Sequence, residues 1–274
     1  SRINEFLNEK SEILSTKNLK SDIDGSIEFK NVSLNYPESG IQALKDISFR
    51  VEAGQSLGIL GTTGSGKSTL ANLICRLYEP NQGQILIDGI PISDFNPQNL
   101  RKQMSYVPQD VFLFSDTIRN NIRFGRPNLS EEEMRNVANQ ADLLTSIESF
   151  EKQFETVIGE RGITLSGGQK QRLSIARALA LNPKVLILDD CLSAVDTKTE
   201  NSILQHLGQA MKDKTTIIIS HRISTVKLAG KILVLDEGRI LEAGTHEELL
   251  AKGGFYRELY DQQLNEENVL TRKF

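Results

Sequence analysis

The stretch Gly61-Thr62-Thr63-Gly64-Ser65-Gly66-Lys67-Ser68-Thr69 constrains this chain more than any other segment. It fits G-x-x-x-x-G-K-[ST] and lies between two regular patterns. Ser56-Leu-Gly-Ile-Leu60 reads as a short buried strand, and Leu70, Leu73, Ile74 and Leu77 mark one face of a following helix. A glycine-rich turn between strand and helix lets backbone N–H groups close around phosphate oxygens, and the helix start adds its positive dipole end. Lys67 then reaches the β- and γ-phosphates and the Ser68 hydroxyl ligates Mg²⁺. The competing reading is an ordinary surface Gly/Ser turn. The flanking strand and helix weigh against it, and a nucleoside triphosphate site is expected.

A chain of 274 residues suits one large α/β domain, or a core with a subdomain. Its net charge of −4 argues against a nucleic-acid partner, which usually meets a basic excess. The two cysteines, Cys75 and Cys191, form no C-x-x-C pattern, so neither a structural zinc nor a disulfide framework is expected. No run approaches the roughly 18 apolar residues of a membrane span. Any link to a membrane is therefore expected to come through a partner or through chain not present in this sequence.

Residues 1–24 are polar, with a weak apolar spacing at Ile3, Phe6 and Leu7, and read as the end of a helix followed by a linker. Domain structure is expected over 25–265, with 266–274 as a tail. Ile27, Phe29, Val32 and Leu34 have strand spacing, as do Ile47–Val51, with a turn at Pro37–Gly40; Gln84–Gly89 is a further strand and turn. From about 96 to 181 the pattern is mostly helical, interrupted by Tyr106-Val-Pro-Gln109. Three capping boxes punctuate the chain, at Ser130–Glu133, Ser166–Gln169 and Thr245–Glu248. Val185–Leu188, Thr216–Ile219 and Ile232–Leu235 are continuous apolar runs, as expected of strands covered on both faces. Helices are expected near 197–211, 221–229 and 246–263.

Two further features gather around the nucleotide. Val185-Leu-Ile-Leu-Asp189-Asp190 delivers two carboxylates at a strand end, where ligand crevices of open α/β sheets lie, so Asp189 is the candidate Mg²⁺ carboxylate. Ser166-Gly167-Gly168-Gln169 opens a helix with small residues, leaving N–H donors exposed as a second anion site. One chain does not easily bring both helix starts onto one γ-phosphate from opposite sides. A second chain, docked head to tail, does.

With these residues in hand, the chain resembles the nucleotide-binding domain of ATP-binding-cassette transporters over residues 26–260, most closely the exporter type. Gly61–Thr69 looks like Walker A, Val185–Asp190 like Walker B, and Leu165–Gln169 like the signature. Ser193–Asp196 is similar to the D-loop and Ile219-Ser-His221 to the switch-histidine region. Gln109 resembles the Q-loop glutamine, Tyr36 the aromatic that stacks on adenine, and Glu160-Arg161-Gly162 the exporter segment that touches coupling helices. The resemblance implies a P-loop NTPase (RecA-like) α/β core with an antiparallel β subdomain and a helical insert over roughly 96–181. It implies ATP and Mg²⁺ as ligands, with Tyr36, residues 61–69 and residues 166–169 binding nucleotide and Ser68, Gln109 and Asp189 around the metal. Gln109, Asp190 and His221 become the catalytic set, and Asp196 both caps a helix and communicates across a dimer. Plainer readings stand beside these: a loop polar group for Gln109, a surface histidine for His221, a core aromatic for Tyr36. The implied partners are a second nucleotide-binding domain and a membrane-spanning domain, contacted through coupling helices near Val111-Phe-Leu-Phe114. The implied location is the cytoplasmic face of a membrane.

One residue departs from the family pattern. Most active members carry glutamate where this chain has Asp190, and aspartate is one methylene shorter. A general base needs to approach within about 2.6–3.2 Å of the proton-bearing oxygen, and a small retreat costs on the order of a hundredfold. A weakened site follows, either in one half of a heterodimeric exporter or in a slow homodimer. Rivals of other classes are a soluble chromosome- or translation-associated cassette ATPase and a stand-alone P-loop kinase. The first needs a long coiled-coil insertion or two cassettes. The second leaves Ser166–Gln169 and His221 without a role.

Overall fold

The computed structural model describes residues 13–159, 162–192 and 197–271. Ile3, Phe6 and Leu7, the pair Glu160–Arg161 and the segment Ser193–Asp196 lie outside the described residues. Two sheets carry the architecture. The first is antiparallel, in the order β2-β1-β4-β5, with β1 Ile27–Asn35, β2 Gln42–Val51, β4 Gln82–Ile87 and β5 Ile90–Pro91. The second runs β10-β9-β3-β8-β7-β6 and holds β3 Ser56–Gly61, β6 Met104–Val107, β7 Val185–Asp189, β8 Thr215–Ser220, β9 Lys231–Asp236 and β10 Arg239–Gly244. In this sheet β9, β3, β8, β7 and β6 are mutually parallel, and only β10 is antiparallel. Every residue of β7 and β8 is buried, which is why those strands read as unbroken apolar runs instead of alternating ones.

Between the sheets lies α1 (Lys67–Ile74), whose Leu70, Leu73 and Ile74 pack with Phe29 and Ile47 of the first sheet and Ile59 and Ile187 of the second. Leu77, expected on the same helical face, is not on it. The helix closes at Cys75, Arg76 takes φ +53°, and Leu77 emerges 45% exposed. A left-handed residue ends an α-helix whatever apolar spacing follows.

The segment expected to be mostly helical contributes β6 to the core sheet. α2 (Pro97–Arg101) precedes it, and α3 (Ile118–Arg123), α4 (Glu131–Gln140), α5 (Leu144–Glu148) and α6 (Gly167–Ala180) follow. Ile122, Met134, Ile147, Leu173 and Ile175 join α3 to α6 into a second apolar cluster, whereas Leu100 of α2 packs into the first. All three predicted capping boxes form, each with Ser or Thr accepting from the N3 amide and the N3 side chain reaching back. The remaining helices are α7 (Thr197–Ala210), α8 (Ile223–Val226), α9 (His246–Lys252) and α10 (Phe255–Thr271). The helix expected over 221–229 is thus a single turn. The stretch over 246–263, expected in two parts, is two helices split at Gly253 with φ +69°. No described helix is long and apolar enough to cross a membrane.

Residues 13–24, expected to be a linker, are pinned to the core. Thr16 and Leu19 donate to the carbonyls of Ser93 and Asp94, and Ser21 and Ile23 are bonded by the Gln103 amide. Arg76, 1% exposed, holds the Leu14 and Phe95 carbonyls at 2.6 and 2.8 Å and pairs with Glu79 at 2.7 Å. Arg76→Ala leaves those carbonyls without their donor, and buried unsatisfied groups cost about 1–3 kcal/mol each. A loss of about 3 kcal/mol in urea-unfolding free energy is expected; a change under about 0.5 kcal/mol would show the clamp to be idle.

Candidate nucleotide-binding site

The phosphate loop follows β3 directly and is shaped by its glycines. Gly66 has φ +100°, and a Cβ there would sit 2.6 Å from the Ala43 carbonyl, so only glycine lets β2 approach this closely. Gly66 is also the N-cap of α1, which has no side-chain cap and no acidic residue in its first turn, leaving its first N–H groups available to an anion. Lys67 bends back over the loop, donating to the Gly61 and Thr62 carbonyls at 2.9 and 2.7 Å. Burial pushes its pKa down, against the attraction of Asp190 and Asp189. The Ser65 hydroxyl, 2% exposed, has no hydrogen-bond partner among the described residues. A buried hydroxyl without a partner in a glycine-rich loop fits a phosphate oxygen as its acceptor.

Beside the loop opens a cleft of about 570 Å³ lined by Tyr36, Gln42, Ala43, Gly64, Lys67 and Thr69, among others. Tyr36 is half-buried; its hydroxyl shares a hydrogen bond of 3.0 Å with Thr69 Oγ1, and its ring meets Tyr78 edge-on at 5.1 Å. Thr62, Thr63 and Ser68 are exposed along the loop and helix start.

Asp189 ends β7, 3% exposed, and accepts from the Tyr106 hydroxyl at 2.9 Å. Burial raises its pKa, opposed by hydrogen bonds from Ser68 and Tyr106. One carboxylate and one hydroxyl are the hard oxygen donors suited to Mg²⁺ that shares its shell with phosphates and water. Gln109 is exposed two residues past β6. Tyr106 carries no motif signal, and its role emerges only from β6 pairing with β7, which sets Tyr106 beside Ile187.

Asp190 follows with φ +47°, and its carboxylate turns to His221, both oxygens lying 3.0 Å from Nδ1, while Ser220 Oγ donates at 3.2 Å. Burial pushes the Asp190 pKa up, but the bonds from His221 and Ser220 outweigh it and hold the carboxyl below its usual range. The Asp190 bond in turn raises the His221 pKa, against burial and the Arg222 and Lys67 charges. Protonated His221 therefore adds stability fully present below the unfolded-chain value near 6.5 and lost as pH rises through the folded value; ionised Asp190 adds stability lost as pH falls through its depressed value. Because His221 is half-exposed, the increment is under about 1 kcal/mol. The difference in thermal midpoint between the protein and His221→Gln is expected to be largest near pH 5–6 and to shrink above pH 8. A difference that grows with pH would contradict the pairing.

Ser166–Gln169 lies apart from the cleft, at the start of α6. The Ser166 hydroxyl is spent on the Gln169 amide (3.2 Å) and Gln169 returns the bond to Ser166 N–H (2.9 Å). Ser166 and Gly167 are exposed, with no acid in the first turn.

Residues 44–193 match the family model described as ABC transporter. This chain belongs to the ABC transporter family. It is an ABC ATPase domain, with the P-loop core, antiparallel subdomain and helical elements of that fold. It is 48% identical over 252 residues to YknU of Bacillus subtilis, an uncharacterized ABC transporter ATP-binding protein, covering 92% of this chain and 43% of that protein. An ATP-dependent lipid A-core flippase of Haemophilus ducreyi is 45% identical, with 96% of this chain and 45% of that protein covered. The structure of a bacterial Atm1-family ABC exporter with ATP bound superposes with a TM-score of 0.89 at 39% identity, covering 96% of this chain and 46% of that one. The ABC domain thus spans less than half the length of these relatives.

Proposed function

We propose that this ABC domain binds and hydrolyses Mg-ATP to power export, as the cytoplasmic-face cassette of a membrane transporter. In this reading two cassettes sandwich two nucleotides, each between one chain's phosphate loop and the other's Ser166–Gln169. The observation that carries it is the pairing of a phosphate cradle with a second helix start that is exposed, free of acid and outside the cradle's own cleft. Residues 61–69 hold the phosphates, and Tyr36 takes the adenine ring. Ser68, Asp189 and Gln109 hold Mg²⁺, which when bound neutralises phosphate charge. His221, its Nδ1 held by Asp190, directs Nε2 to the γ-phosphate. The triphosphate is shared by donors of both chains, so its cleavage removes the common anion and opens the sandwich. The partner is a copy of this chain or a near twin; the turn of Asp190 toward His221 supports a weakened site and favours the twin. A soluble chromosome- or translation-associated cassette is disfavoured by the exporter relatives.

The test is sedimentation of Asp190→Asn with and without Mg-ATP, alone and after Ser166→Arg. A dimer that appears with Mg-ATP and disappears with Ser166→Arg is expected. The absence of any Mg-ATP-dependent dimer, or full turnover by the unsubstituted chain where it sediments as a monomer, would refute the sandwich.

The membrane-spanning partner's coupling helices are assigned to the groove of about 420 Å³ between Val111–Phe114 and Ile158, Ile163 and Leu165, where Phe112 is 68% exposed. Phe112→Asp is expected to cut transport-coupled ATPase several-fold in the full assembly. Unchanged coupling would remove this groove from the path.

A further inference from the structure

His221 sits in a loop that local sequence alone does not fix. It follows β8 and precedes α8, a single turn whose N-cap, Arg222, provides no side-chain cap. The Ile223 N–H at the start of that turn, and the His221 carbonyl before it, have no partner within the helix. Both are taken by one residue far along the chain. On α10, the Gln263 Nε2 donates to the His221 carbonyl at 2.8 Å, and its Oε1 accepts from Ile223 N–H at 2.9 Å. A primary amide offers donor and acceptor on one rigid edge, so it fixes the two main-chain groups relative to each other as well as to α10.

The helix bearing this amide is anchored independently. Glu242 of β10, 7% exposed, accepts the Tyr256 N–H at 3.0 Å at the start of α10. Tyr256 is fully buried against Leu60, Ile223 and Val226, and its hydroxyl meets His246 Nδ1 at 2.7 Å. From the opposite side Glu200 of α7, 1% exposed, accepts from Arg222 at 2.6 Å, Ser224 at 3.1 Å and Thr225 at 2.5 Å. Glu200 therefore grips the side chains after His221, and Gln263 grips the main chain of His221 itself.

We propose that Gln263 is a positioning residue for His221, through which α10 sets the place of the imidazole and with it the turnover of the ATP site. The proposal rests on the reading of His221 as the γ-phosphate contact. Gln263→Met keeps length and volume and removes both donor and acceptor. Only three histidines occur in the chain, so in a histidine-labelled sample the His221 ring is assigned by its loss in His221→Ala. Gln263→Met is expected to shift or broaden the His221 ring resonances while leaving those of His206 in place. ATP turnover is expected to fall about tenfold at unchanged KM, as displacement of a catalytic group does, with no further fall when the same change is made in His221→Ala. Unmoved His221 resonances, or an equal loss in the His221→Ala background, would overturn the proposal. A displaced ring in an assembly that, unsubstituted and supplied with its twin cassette, has no ATPase would refute the proposed function and leave the clamp standing. Should Gln263→Met unfold, Gln263→Glu, which keeps the acceptor for Ile223, carries the same comparison.

Discussion

Exchanging Lys67 for methionine is expected to lower ATP turnover by about a thousandfold while leaving the fold intact. The stem of Lys67 is buried, and methionine fills the same path with a chain of similar reach. What disappears is the ammonium, now 2.9 and 2.7 Å from the Gly61 and Thr62 carbonyls and attracted by both Asp189 and Asp190. In the proposed reaction that charge leaves the carbonyls for the phosphates, where negative charge is densest. Loss of one preorganised donor at such a position costs about 3–4 kcal/mol of transition-state stabilisation. Phosphate release measures turnover, a fluorescent ATP analogue measures binding, and the melting midpoint checks the fold. Turnover within tenfold of the unsubstituted chain would exclude Lys67 from the chemistry.

Asp190→Glu is expected to do the reverse and raise turnover by up to about a hundredfold. The aspartate carboxylate is drawn toward His221 and Ser220, both at or near 3 Å, and is half-buried there. Glutamate carries the carboxylate one methylene further from the backbone, toward the water that must lose a proton. The measurement is steady-state phosphate release by the chain alone and in the presence of any twin cassette. A large gain in the chain alone supports an impaired site of its own. No gain in either setting would show that Asp190 does not limit the reaction.

Much of this site is local and therefore legible without coordinates. The strand–loop–helix around Gly61–Thr69, the strand that ends at Asp189 and the three capping boxes each depend on residues within a few positions of one another, and these local structures form as their spacing predicts. The fully buried strands β7 and β8 likewise announce themselves by composition. What escapes is whatever depends on strand order or on a single backbone torsion. Tyr106 meets Asp189 only because β6 pairs with β7, 83 residues apart. Leu77 leaves its helix because Arg76 adopts a left-handed conformation, which an arginine does not advertise. Gln263 reaches His221 across 42 residues, and a glutamine beside Gln262 on an amphipathic helix gives no hint of it.

The Arg76 clamp has a mechanical corollary. Its guanidinium grips the Leu14 carbonyl from a position one residue past the C-cap of α1, the helix whose opposite tip starts at Gly66 and is proposed to meet the phosphates. Tension along residues 13–24 consequently enters the core at the rear of that rod instead of being absorbed by slack.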